Sequence, residues 1–177
     1  MLVIERRTYD EIVAHARRDH PDEACGVVTG PIGSDRPVRL VPMLNAARSP
    51  TFYEFDSADL LALYREMDDR DEEPVVVYHS HTGTEAYPSR TDVALASEPG
   101  AHYLLVSTRD PDEAEVRSYR IVDGSVTEEE VQVVESLPSS PGQHQTAQYQ
   151  AGQHQTAQNE TAEPEKASLE NEESVPR

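Results

Sequence analysis

The apolar runs of this chain stop at Leu137. Up to that residue apolar stretches alternate with turn signals; from Pro138 the sequence is Gln-rich, polar and acidic. Gly-Gln-His-Gln-Thr-Ala-Gln stands at residues 142–148 and again at 152–158. Such material cannot bury enough surface to offset chain entropy. The expectation is one folded domain at 1–137 and a disordered Gln-rich acidic tail at 138–177. His144 and His154, ten residues apart in that tail, read as bystanders rather than as a metal site. Only 36% of the 177 residues are hydrophobic, and the shortfall falls mainly in the tail. The remainder is long enough to bury one core without staples.

Charge narrows the choice of partner. The chain carries 34 acidic residues against 15 Lys plus Arg, a net −19. The tail holds six Glu, Lys166 and Arg177, which leaves −15 on the domain. A field of that sign repels phosphate backbones and argues against nucleic acid. It suits solubility, and also a basic protein partner. Cys25 is the only cysteine, so there is neither a disulfide framework nor a Cys-rich metal site. Met1 to Ile4, followed by Glu5-Arg6-Arg7, is too short for a signal peptide. No run approaches the roughly 20 apolar residues of a spanning helix. A soluble cytoplasmic protein, off the membrane, is expected.

Periodicity supplies the elements. Residues 8–19 read as a helix, with Thr8 and Glu11 spaced as a capping box and Ile12, Val13 and Ala16 as its stripe. Residues 24–29 read as a buried strand stopped by Gly30-Pro31, and residues 38–43 as a second strand. Asp56 or Ser57 caps another helix through Leu60, Leu61, Tyr64 and Met67, and its acidic end at 68–73 reads as a turn. Pro74 opens the strand to His79, and a short helix runs from Ser89 to about Ser97. Residues 103–107 form a central strand, and residues 116–122 and 126–134 a hairpin about Asp123-Gly124. The class is α/β, two- or three-layered, with a mixed sheet.

The chemistry is concentrated in His79-Ser80-His81, seven residues, Ser89, two residues, Asp92. On a strand, side chains at i and i+2 share a face, so the two imidazoles stand together. Zinc accepts imidazole nitrogen and carboxylate oxygen, and a catalytic zinc keeps three protein ligands and one open position. His79, His81 and Asp92 would complete that set. Each piece also has a plainer reading. Paired histidines can sit idle on a strand face, and Ser89 with Asp92 is spaced as a capping box. A hydrolase of this type needs a carboxylate to take a proton from water and pass it to the leaving amine. Glu23, entering an apolar strand, is the candidate, with Glu54 and Glu85 as rivals. Cys25 could be a nucleophile but reads as packing.

His-x-His, seven residues, Ser, two residues, Asp resembles the signature of the JAMM (MPN-plus) zinc metalloprotease family, and Glu23-Ala24-Cys25-Gly26 resembles its upstream Glu motif. The likeness covers about residues 1–135. It implies a cytidine-deaminase-like fold, a mostly antiparallel mixed sheet flanked by helices. It implies one zinc per chain on His79, His81 and Asp92, Glu23 as acid/base, and Ser89 donating to the oxyanion. Family members cut peptide or isopeptide bonds at the C-terminus of ubiquitin-like proteins. The insertion-free domain is similar to the small prokaryotic branch, which includes peptidases that release cysteine from a ubiquitin-like sulfur-carrier protein. Two alternatives stay open: an isopeptidase removing such a modifier from lysine, and a non-catalytic scaffold. The resemblance also makes a homodimer plausible. The loop at residues 82–87 reads as a cover over the metal, with Glu85 as the candidate contact.

Overall fold

A computed structural model describes residues 1–137. The tail expected at 138–177, with His144 and His154, lies outside the described residues. In chain order the elements are β1 (Leu2–Glu5), α1 (Arg6–Asp19), β2 (Cys25–Pro31), β3 (Arg39–Met43), α2 (Ser57–Arg70), β4 (Glu72–His81), α3 (Arg90–Leu95), β5 (His102–Ser107), β6 (Glu115–Val122), β7 (Ser125–Glu129) and β8 (Val131–Val134). Six strands form one sheet in the order β3-β2-β4-β5-β6-β7, and β1 pairs with β8 in a second. Within the large sheet only β4 and β5 run parallel; every other junction is antiparallel. The mixed, mostly antiparallel sheet of the expectation is what forms. No described helix is long and apolar enough to cross a membrane.

Helices cover both faces, which selects the three-layer arrangement. Leu2, Ile4, Ile12 and Ala16 bury against Val28, Val76, Tyr78, Leu104 and Val106 on one face. Leu63 and Met67 of α2 bury with Cys25, Val27 and Met43 on the other. Each fully buried Leu, Ile, Val or Met side chain among them contributes about 1.5–3 kcal/mol. On the first face the Tyr78 hydroxyl lies 2.7 Å from Nδ1 of His15, whose Nε2 is 3.0 Å from Asp19. The tyrosine passes directly over Gly26: a Cβ there would fall 2.4 Å from the Tyr78 oxygen.

Several boundaries differ from the sequence expectation for local reasons. β1 runs straight into α1, so the helix starts at Arg6 with Glu5 as an N-cap that makes no side-chain capping bond. Thr8 is therefore already inside the helix and buried, while Glu11 pairs with Arg7 at 2.9 Å; the Thr8 capping box does not form. β2 continues through Gly30-Pro31. The acidic stretch is not a loose turn: α2 extends to Arg70, Asp71 turns the chain at φ 52°, and β4 begins at Glu72. Pro74 thus lies inside a central strand, beside the register shift between Val28 and Thr29. A bulge is where a strand tolerates a residue lacking its N–H. Asp56 caps α2 as expected, accepting from Ala58 and Asp59 at 2.9 and 3.1 Å. The Asp123-Gly124 hairpin forms with both residues at positive φ. Its second arm divides at Glu130: β7 stays on β6, and β8 leaves to pair with β1.

Candidate metal centre

β4 carries His79 and His81 out on one face of its last turn of pleat. Its antiparallel partner sets Cys25 opposite His79, and that register, extended by two residues, brings Glu23 opposite His81. Ser80, pointing the other way, fixes the alignment: its N–H donates to the Ala24 carbonyl at 2.9 Å, and its Oγ accepts from the Ala24 N–H at 2.8 Å. Asp92 arrives from the third position of α3. Ser89 caps that helix reciprocally, with its N–H donating to Asp92 Oδ2 at 2.6 Å and its Oγ accepting from the Asp92 N–H at 3.1 Å. Because Ser89 Oγ accepts that bond, its own O–H hydrogen remains to be donated elsewhere.

The capping and metal readings therefore coexist. Asp92 Oδ2 lies 3.5 Å from Nε2 of His79 and 3.4 Å from Nε2 of His81, and the two Nε2 atoms are 3.2 Å apart. One donor atom from each of the three residues lies within 4.8 Å of the others. Nδ1 of His81 is 2.9 Å from the Glu85 carbonyl oxygen and 3.1 Å from Thr84 Oγ1. A ring that donates Nδ1–H to that carbonyl turns a bare Nε2 lone pair inward, as metal ligation requires. His79 stacks on Tyr53 at 4.5 Å between centroids and 25° between planes. Its Nδ1 is buried without a partner among the described residues.

Electrostatics separate the groups. Burial pushes His79 towards its neutral form, with Asp92 pulling the other way. Burial also disfavours charge on His81, but the bonds to Asp92 and the Glu85 carbonyl outweigh it and raise its pKa. Burial alone would raise Asp92; the two histidines hold it far below the usual carboxylate range. Glu23 is pushed up to about 7, mainly by burial, with the Asp92 charge adding and His81 opposing. A carboxylate anchored between two facing imidazole nitrogens is a donor set that a divalent cation fits: hard oxygen, borderline nitrogen, and a negative centre to offset its charge.

Glu23, His79, His81 and Asp92 come together as expected, with Ser89 beside Asp92. The rivals do not enter. Glu54 and Glu85 are exposed, and Glu85 reaches the cluster only through its backbone carbonyl. Cys25 is buried, bonds the Met43 carbonyl at 3.7 Å, and has its thiol pushed up to about 12 by burial, then by Asp19 and Glu23. That is packing chemistry, not a nucleophile. Tyr53 and Asn45, which shape the surroundings, carry no motif by which the sequence would single them out. Tyr53 also walls a cavity of about 420 Å³ beside the cluster, lined with Phe55, Leu63, Met67, Val77 and Tyr103.

Residues 5–122 match the family model described as prokaryotic homologs of the JAB domain. The CysO-cysteine peptidase of Mycobacterium tuberculosis is 69% identical over 135 residues, covering 76% of this chain and 92% of that protein. The desampylase of Haloferax volcanii is 34% identical over 103 residues, covering 55% of this chain and 74% of that one. Among solved structures, a Desulfitobacterium hafniense protein superposes with a TM-score of 0.68 at 32% identity, covering 77% of this chain and 95% of that one. The family model spans most of the chain and a curated relative is 69% identical over most of its own length, so the chain belongs to the prokaryotic JAB-domain family.

Proposed function

We propose that this protein is a zinc-dependent peptidase that cleaves the amide bond at the C-terminus of a ubiquitin-like sulfur-carrier protein and releases cysteine. The observation that carries this reading is the convergence of His79, His81 and Asp92 beside a buried Glu23, in a chain 69% identical to a CysO-cysteine peptidase. His79, His81 and Asp92 hold the ion. Zinc, when bound, polarises the scissile carbonyl and makes water nucleophilic near neutral pH.

Glu23 takes one proton from the attacking water as its oxygen bonds the carbonyl carbon. It returns that proton to the amide nitrogen as the C–N bond breaks, so the carboxylate ends as it began. A carboxyl buried beside the cluster, where burial opposes its ionisation, is placed for both transfers. Ser89 donates its free O–H to the carbonyl oxygen as that atom gains charge, an interaction worth about 2.7–4 kcal/mol where a single donor of this kind is removed. The Tyr53-walled cavity receives the chain that leads to the scissile bond.

The test is incubation of the zinc-loaded protein with a carrier bearing a C-terminal cysteine, followed by mass spectrometry of the carrier. Loss of one cysteinyl residue is expected. An unchanged carrier mass, with zinc confirmed, removes this substrate. The likeness to a desampylase supports a second reading, removal of a ubiquitin-like modifier from lysine. An isopeptide conjugate in the same assay, cut while the cysteine adduct survives, would favour it.

A further inference from the structure

Glu23 precedes β2, whose first residue is Cys25, so no strand ladder holds its backbone. Its peptide groups are held by one loop instead. The Glu23 N–H donates to the Ser49 carbonyl at 2.9 Å, and the Glu23 carbonyl accepts from Asn45 Nδ2 at 2.9 Å. Asn45 is only 5% exposed, and its carboxamide makes four hydrogen bonds. Nδ2 donates also to the Phe52 carbonyl at 3.1 Å, while Oδ1 accepts from the N–H groups of Ala47 at 3.0 Å and Glu54 at 3.2 Å. Those last three bonds shape the segment between β3 and α2 that carries Tyr53, the ring stacked on His79. One amide thus ties the carboxylate's backbone on one side to the aromatic wall of the cavity on the other.

We infer that Asn45 is a positioning residue: it holds Glu23 and the Tyr53 wall in one frame by the two hydrogen bonds that it donates. A catalytic group is useful only when held within about 0.5 Å of its working geometry, and burial without a ladder does not give that. The two bonds Asn45 accepts have a different job, closing the loop on itself. The ligands do not depend on it: His79 and His81 are set by β4, and Asp92 by its cap with Ser89.

This division of labour can be tested, and the test rests on the acid/base role proposed for Glu23. Asn45→Ala removes all four bonds; Asn45→Asp keeps the two accepted bonds and replaces the donated ones with an oxygen facing two carbonyls. Zinc content, kcat and KM on the cysteine adduct, and amide hydrogen exchange at Glu23 are measured for both and for the parent. Both variants should keep one zinc per chain, lose about 10–100-fold in kcat, and exchange the Glu23 amide at least about tenfold faster, with Ser80 unchanged. Recovery of parental kcat by Asn45→Asp would show that loop closure alone matters, and parental protection of the Glu23 amide in both variants would show that Asn45 does not hold Glu23; either overturns the inference. If the zinc-loaded parent leaves the adduct intact, the substrate reading falls instead, and exchange at Glu23 alone decides the role of Asn45. Should Asn45→Ala fail to fold, Asn45→Asp carries the comparison.

Discussion

Buried histidines meet carboxylates at both ends of the β4–β5 pair, and the two meetings are built on different logic. At one end His79 and His81 point their Nε2 atoms at each other, 3.2 Å apart, with Asp92 reaching both. At the other, on the opposite face, His102 is fully buried, and each ring nitrogen has a carboxylate of its own. Nδ1 meets Glu129, and Nε2 meets Asp35 at 2.8 Å, with Arg120 alongside both Asp35 and the ring. Ser118 and the Met1 amine complete Glu129 at 2.9 and 2.8 Å. The second cluster divides its partners; the first makes several groups share one point. Shared focus, rather than the mere presence of His and Asp, distinguishes a cation site from an internal ion network.

The contrast can be broken most sharply at the focus. His81→Ala should abolish zinc retention and bring adduct cleavage below detection, whereas His102→Ala should leave zinc at one per chain; metal analysis of both decides, and equal zinc loss would erase the distinction. Glu23→Gln should keep zinc and slow turnover about 10²–10⁴-fold, read as kcat at saturating substrate. His102→Ala should instead lower stability by about 1–3 kcal/mol, read from denaturant midpoints, with kcat within about threefold of the parent. The smallest effect concerns pH. Burial opposes ionisation of Glu129, but the amine, His102 and Ser118 outweigh it and lower its pKa. Its folded pKa is thus below the unfolded value of about 4.3. The stability it adds is present above that value and lost as pH falls through the folded pKa. Thermal melts between pH 7 and 3 should show a shallower acid decline for Glu129→Gln than for the parent; an identical decline would place the acid sensitivity elsewhere.

The focus is legible from sequence because a strand puts i and i+2 on one face and a helix cap fixes Asp92 three residues after Ser89. Both are short-range rules that hold whatever surrounds them. The elements carrying Cys25, Tyr103 and the Asp123-Gly124 turn are legible on the same grounds. What escapes is set by distant pairing. Residues 2–5 are too few to announce a strand, and become one only because Val131–Val134 leaves the hairpin to meet them. The same junction starts α1 before Thr8, which spoils the capping box that its spacing offers. Pro74 reads as a strand opener unless the irregularity beside it, at Val75, is known. Asn45 and Tyr53 are invisible for a further reason: each acts through a bond or a stack to a residue more than twenty positions away, and no local pattern records it.

The glycine beneath Tyr78 carries a lesson about how such motifs are inherited. In Glu23-Ala24-Cys25-Gly26 the odd positions share the sheet face of His79 and His81, while Gly26 yields room to a phenol ring on the far side. Its identity is thus a debt to residue 78 rather than to hydrolysis. Any cousin bearing alanine at position 26 should be found with a slimmer neighbour at 78, and the two sites should drift through evolution as a pair.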